Sequence, residues 1–176
     1  MNEFQTINVN LLNLSEEERE QLMGLIKKAN QTHQKRWRGE KNDVYYSITG
    51  DGKIVDARES EYTCDNDRYQ IGNYFKTKEE AEFELNKRLV YQKLKDYALE
   101  HNESEIDWKN SKQEKWFIAY DSQIKCLGCY NRFVCYDIGQ IYFSSRKIAQ
   151  EAVKAIGEDR IKKYLFNINK ENKESK

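Results

Sequence analysis

The chain has 176 residues, with 30 Lys and Arg against 30 Asp and Glu, so its formal net charge is zero. That balance speaks against a dedicated duplex-binding protein and equally against a polyanionic mimic of nucleic acid. Apolar residues make up 38% and charged residues 34%, but 12 Tyr, 7 Phe and 3 Trp supply enough large side chains for a core in one domain or in two closely joined small modules.

The opening residues, Met1 to Asn10, show no basic region followed by an apolar stretch, and no apolar run reaches spanning length. The expectation is therefore a cytosolic protein with no membrane contact. Four cysteines in that compartment read as reduced thiols or metal ligands rather than disulfides.

Ser15-Glu16-Glu17-Glu18 is a capping-box start, with Ser15 and Glu18 serving each other's backbone amides, and predicts a helix from Glu16 to Asn30. Leu22, Met23, Leu25, Ile26 and Ala29 form its apolar stripe. From 27 to 41 the chain carries Lys27, Lys28, Lys35, Arg36, Arg38 and Lys41 against Glu40, around Trp37, which reads as a basic linker. From 43 to 67 the sign reverses, with seven acidic residues against Lys53 and Arg58, so the two stretches can neutralise each other.

Val44 to Thr49, a Gly50-Asp51-Gly52 turn and Lys53 to Asp56 form a predicted hairpin, and a third strand is expected around Arg68 to Phe75. Thr77 then caps a long helix from Lys78 to Glu100, with Ala81, Leu85, Leu89, Leu94, Tyr97 and Ala98 on one side. The same order returns. Trp116 to Tyr120 is a strand, Asp121-Ser122-Gln123 a turn, Ile124 onward a second strand, and Arg132 to Ile138 with Gln140 to Phe143 further β-structure. Ser145 caps a helix through Ile156, Gly157 interrupts, and Glu158 to Phe166 continues as a second helical piece.

The return extends to individual residues. Tyr69-Gln70-Ile71-Gly72-Asn73-Tyr74-Phe75 recurs as Tyr136-Asp137-Ile138-Gly139-Gln140-Ile141-Tyr142-Phe143 with one insertion. Thr77 matches Ser145, Ala81 matches Ala149, Leu85 matches Val153, and Tyr46, Ile48 and Ile54 match Trp116, Ile118 and Ile124. The fold class is accordingly α+β: two tandem diverged copies of a small antiparallel sheet followed by a helix, behind an N-terminal amphipathic helix. The boundaries read as an N-terminal segment 1–31, a basic linker 32–43, a first module 44–101, a second module 102–166 and a disordered tail 167–176.

Few residues point to chemistry. Cys126-Leu127-Gly128-Cys129 resembles half of a zinc knuckle, with Cys135 and Cys64 as the remaining thiols, but a second ligand pair is missing. The leading reading is strand cysteines with no cofactor, and zinc on these four is the alternative. His33 and His101 sit in no motif with a nucleophile, and phosphate-cradling, nucleophile-elbow and calcium-loop patterns are missing, so catalysis is not expected. The tyrosines carry more weight, because aromatic side chains give large contact area at low entropic cost and can also stack on unpaired bases. Lys35, Arg36, Trp37, Arg38, Tyr45, Tyr62 and Tyr130 are the candidate partner-binding residues.

The Leu14 to Glu18 helix start, the basic Trp37 segment, the Val44-Tyr45-Tyr46 hairpin and Ile71-Gly72-Asn73-Tyr74-Phe75-Lys76-Thr77-Lys78-Glu79-Glu80-Ala81-Glu82 together resemble accessory proteins from phages and prophages of Gram-positive bacteria, a family of unknown function. The resemblance covers most of residues 14 to 166. It implies a host bacterial cytosol and a non-enzymatic binding protein that inhibits or modulates a host protein, a CRISPR or other immune effector being the specific expectation. A single-stranded nucleic-acid-binding regulator and a sponge for a nucleotide signal are the alternatives, and self-association is left open between monomer and homodimer.

Overall fold

A computed structural model describes residues 14–29 and 36–168. The chain divides into two compact units, Met1–Trp37 and Arg38–Lys176. In the first unit, helix α1 spans Glu16–Ala29. Its start is the expected capping box: the Ser15 amide donates to Glu18 at 2.8 Å and the Glu18 amide donates to Ser15 Oγ at 3.3 Å. The Ser15 amide, and the Ser15 hydroxyl donating to the same carboxylate at 2.9 Å, hold the Glu18 carboxyl below its usual pKa. Leu22 is half-buried, whereas Met23 and Leu25 are exposed. The side chains of Ile26 and Ala29, His33, Lys35 and the tail beyond Ile168 lie outside the described residues.

The second unit runs β1 (Val44–Ile48), β2 (Ile54–Arg58), α2 (Thr63–Gln70), α3 (Lys78–His101), β3 (Lys115–Asp121), β4 (Cys126–Arg132), α4 (Arg146–Ile156) and α5 (Glu158–Phe166). β1 and β2 form one antiparallel pair, β3 and β4 another. The fold is α+β, as the residue pattern predicts.

The repeat is carried by matching hydrogen bonds. Tyr46 and Phe75 exchange both main-chain bonds at 2.9 Å, and Trp116 and Phe143 do the same at 2.9 and 2.7 Å. The Asn73 side-chain amide then clamps the backbone of Ile48 at 2.8 and 2.7 Å, where Gln140 Nε2 reaches the Ile118 carbonyl at 3.4 Å. The recurrent glycines turn the chain into this bridge with φ of +78° at Gly72 and +76° at Gly139, a region costly for any residue with a Cβ. Thr77 Oγ1 accepts from the Glu80 amide at 3.2 Å and Ser145 Oγ from the Ile148 amide at 3.3 Å, capping α3 and α4.

Three expected β-segments do not form strands. Arg68 to Phe75 is not a strand: α2 occupies Thr63–Gln70, and only Phe75 pairs, as a single bridge. The cause is Asp65, the third residue of α2. Its carboxylate takes the amides of Ser60 and Tyr62 at 3.0 and 3.3 Å and so satisfies donors ahead of the first helical turn. Arg132 to Ile138 and Gln140 to Phe143 are likewise irregular beyond the end of β4, apart from the Phe143 bridge. Ile124 lies in the β3–β4 turn rather than in a strand, next to Lys125 at φ +55°.

One apolar core joins the modules. Val90, Leu94 and Ala98 of α3 pack with Ile118, Phe143, Ile148, Ala152 and Ile161. Leu89, placed by periodicity on the inner side, is instead 46% exposed, and its neighbour Val90 is fully buried. The helix that closes the first copy therefore supplies the core of the second.

Candidate functional site

The two copies place unlike side chains at the same point. Since Tyr46 and Trp116 make equivalent bridges, Tyr45 and Lys115 occupy equivalent positions, and both are fully buried. Lys115 Nζ donates to the carbonyls of Asn110, Gln113 and Phe133 at 2.8 to 3.0 Å and lies 5.3 Å from the Trp108 ring. Three donors meet three acceptors, so the ammonium is paid for internally.

Tyr45 belongs to a larger network. Its ring stacks on Tyr74 at 3.9 Å, its hydroxyl donates to Asp65 at 2.6 Å, and Arg68 donates to that hydroxyl at 2.7 Å. Glu59, 1% exposed, accepts two bonds from Arg38 at 3.0 and 3.2 Å and one from the Tyr74 hydroxyl at 2.9 Å. Tyr74 in turn accepts from the Gly39 amide at 3.3 Å. Arg38 also lies over the Tyr69 ring at 5.3 Å.

These contacts fix the protonation states. Burial would raise Asp65, but bonds from Tyr45, Ser60 and Tyr62 outweigh it and lower the pKa to about 2. Arg38 holds Glu59 below the usual carboxylate range. Burial, followed by the bond to Glu59, pushes the Tyr74 hydroxyl up, and burial, followed by the bond to Asp65, does the same for Tyr45. At neutral pH the network is therefore two carboxylates, two neutral phenols and two guanidiniums. Its buried groups are directed at one another, and its chemistry is to pin Arg38 and Gly39 onto the first module.

The candidate partner-binding residues separate accordingly. Tyr45 is buried and cannot meet a partner, because an alternating strand turns it toward Asp65. Arg38 spends its guanidinium on Glu59, which neutralises part of the basic stretch with part of the acidic one. Arg36 is exposed, Trp37 half-buried, and Lys35 lies outside the described residues. Tyr62 is 70% exposed and Tyr130 39%, the latter donating weakly to Asp121 at 3.4 Å.

The cysteines do not converge as a knuckle. Cys126 and Cys129 lie in β4 with unbroken one-to-one pairing to Asp121 and Ile118, so residues three apart point to opposite faces and sit roughly 10 Å apart along the strand. Cys129 packs against the core, where burial raises its thiol pKa, while Cys64 and Cys135 are exposed. Among the described residues no group of three His, Cys, Asp or Glu is placed to hold a metal ion.

The groove between the copies is apolar. About 260 Å³ opens between α3, α5 and the Gly139 to Phe143 loop, lined by Leu94, Ile141, Leu165 and Phe166, with Lys87 as the one cation of its lining among the described residues. Lys87 is itself paired with Glu84 at 3.5 Å. A second depression adjoins it through Tyr91, Gln140 and Ile141 and reaches Leu99, which is 84% exposed. At the mouth of the Gly139 turn, Ile138 is fully exposed and Tyr136 is 66% exposed. Periodicity could not single these out, because Ile138 and its counterpart Ile71 look like strand residues and both stand outside the packed structure.

Comparison with protein-family models, with curated proteins and with solved structures returns no match for the chain. Among the described residues no helix is long and apolar enough to cross a membrane.

Proposed function

We propose that the protein is a non-enzymatic binding protein that acts stoichiometrically on a host protein, with a bacterial immune effector such as a CRISPR nuclease as its target class. The observation that carries the binding reading is the apolar groove around Tyr91 and Ile141, with Leu99, 84% exposed, in its lining and Ile138, fully exposed, next to the lining residue Gly139 in sequence. Single exposed apolar residues are ordinary, but an apolar groove with exposed apolar side chains in and next to its lining is the usual mark of a protein-binding face. The target class is supported by the resemblance to phage accessory proteins. The polar alternatives gain less support: a nucleotide needs several phosphate donors where the described lining of this groove offers one paired lysine, and Arg38, one of the four basic-segment residues of the nucleic-acid reading, is engaged with Glu59.

The test is a titration against purified immune nucleases, read as target cleavage, with relief of phage restriction in cells as the second readout. Inhibition should saturate at a fixed molar ratio, and Ile138→Asp combined with Leu99→Asp should abolish it while leaving the thermal transition in place. No relief across a panel of immune systems, or full inhibition by the double variant, would overturn the reading.

A further inference from the structure

The two sheets differ in how they treat their open edges. The Tyr46 and Trp116 bridges use the outward main-chain groups of β1 and β3, so the alternation of an antiparallel ladder decides the rest. With Phe117, Ala119 and Asp121 turned toward β4, their partners Tyr130, Gly128 and Cys126 are turned toward β3. The N–H and C=O of Leu127, Cys129 and Asn131 therefore point away from the sheet, and among the described residues they make no main-chain bond beyond it. By the same count β2 turns Ile54, Asp56 and Arg58 outward.

Open edges are normally guarded by charge. β2 is guarded: self-pairing about its centre would set Asp56 against Asp56. β4 is not, since Cys126 to Asn131 carries no charged side chain and no proline. We propose that β4 pairs antiparallel with β4 of a second copy about a two-fold axis at Cys129, joining two β3–β4 hairpins into a four-stranded sheet.

The strand is self-complementary in that register. Cys129 meets Cys129, and Leu127 of one copy exchanges bonds with Asn131 of the other. Arg132 falls opposite Cys126 and Lys125 opposite Phe133, so no like charges face each other. Tyr130 falls opposite Gly128, the residue with no side chain of its own; its Cβ position is already filled by the Tyr130 ring, 2.5 Å away. Just past the strand ends, Ile124 of one copy comes beside Val134 of the other, and these are two of the most exposed apolar residues of the molecule, at 67% and 66%. The second copy would cover apolar surface at both ends of the pairing.

Sedimentation velocity over a concentration series reaching the millimolar range tests this on the full chain. The mass should rise from the 21.1 kDa of one chain toward twice that value. Asn131→Pro, which removes an outward N–H and no bond to β3, should weaken association at least tenfold, and Asp56→Pro on the guarded edge should leave it unchanged. A pair of surface variants keeps the register testable whatever the proline does to folding. Ile124→Glu with Val134→Glu should give a monomer, whereas Ile124→Lys with Val134→Glu should still dimerise. A monomer at every concentration, association insensitive to Asn131→Pro in a folded variant, or equal behaviour of the two charge variants would overturn the proposal.

Discussion

In the first module the space beside the bridge is filled by Tyr45, Glu59, Asp65 and Tyr74, each buried and each hydrogen-bonded to another of the set or to an arginine. In the second, Ile118 and Phe143 meet Ile148, Ala152 and Ile161, and the one buried charge, Lys115, is taken up by carbonyls. One chain path thus tolerates two interiors. What the copies share is what the path needs: the bridge, the left-handed glycine and the capped helix. What differs is how each interior is stabilised, by directional bonds between ionised groups in one and by area removed from water in the other.

The largest effect should come from breaking the apolar side. Phe143→Ala removes a ring that is 1% exposed and should cost about 3–5 kcal/mol in urea denaturation, whatever the pH. Because α3 supplies Val90 and Leu94 to that core, amide exchange should report the same loss at Tyr46 as at Trp116. Loss confined to Trp116 would mean that the modules open separately.

The polar side answers to pH instead. Asp65 has a folded pKa lowered from 3.8 to about 2, so it contributes on the order of 2 kcal/mol that is present above its unfolded value and lost as pH falls through 2. Glu59 shifts the same way because of Arg38, so its contribution too is present above its unfolded value and lost on acidification. Tyr45 and Tyr74 shift upward, so their contribution is present below pH 10 and lost as rising pH drives unfolding to ionise them. Asp65→Asn should flatten the acid limb of the stability curve, while Phe143→Ala should lower the whole curve without reshaping it. Equal acid limbs in wild type and Asp65→Asn would remove the carboxylate from the account.

These contrasts explain how much could be read from residues alone. The frame was legible: Ser15, Thr77 and Ser145 cap helices, Val44 and Trp116 open hairpins, and the Tyr-Gly-Phe recurrence marks a true structural repeat. Those features are local, so spacing exposes them. The buried network was not legible, because Asp65 and Glu59 are indistinguishable in sequence from solvated turn residues until partners 15 to 21 positions away converge on them. The strand predicted over Arg68 to Phe75 gave way to α2 through a nearer capture, the Ser60 and Tyr62 amides bonded to Asp65. The exposure of Ile138 was hidden for the opposite reason: an apolar residue at strand spacing implies burial, and here no element among the described residues covers it.

The equivalent buried positions give a smaller and more pointed test. Lys115→Met keeps the length of the side chain and removes the ammonium, leaving the carbonyls of Asn110, Gln113 and Phe133 without their donor. The loss should be about 1–3 kcal/mol, the range for buried polar groups left unpaired. Should the methionine variant prove as stable as wild type, the carbonyls have found water, and the lysine would be a packing residue with a solvated alternative.

The smallest effects should be alike in both copies, and their likeness is the sharpest test of the shared frame. Thr77→Ala and Ser145→Ala each delete one side-chain acceptor for the third amide of a helix, at 3.2 and 3.3 Å, and each should cost about 1 kcal/mol. Both capping bonds lie within the first turn of their own helix, so the two losses should match despite the unlike interiors beneath them. Capping energy set by local geometry predicts that match. A loss at Ser145 several times that at Thr77 would show that the cap draws on the packing of α4, whose Ile148, Ala149 and Ala152 are buried within the next two turns, and the frame would then be coupled to the interior it encloses.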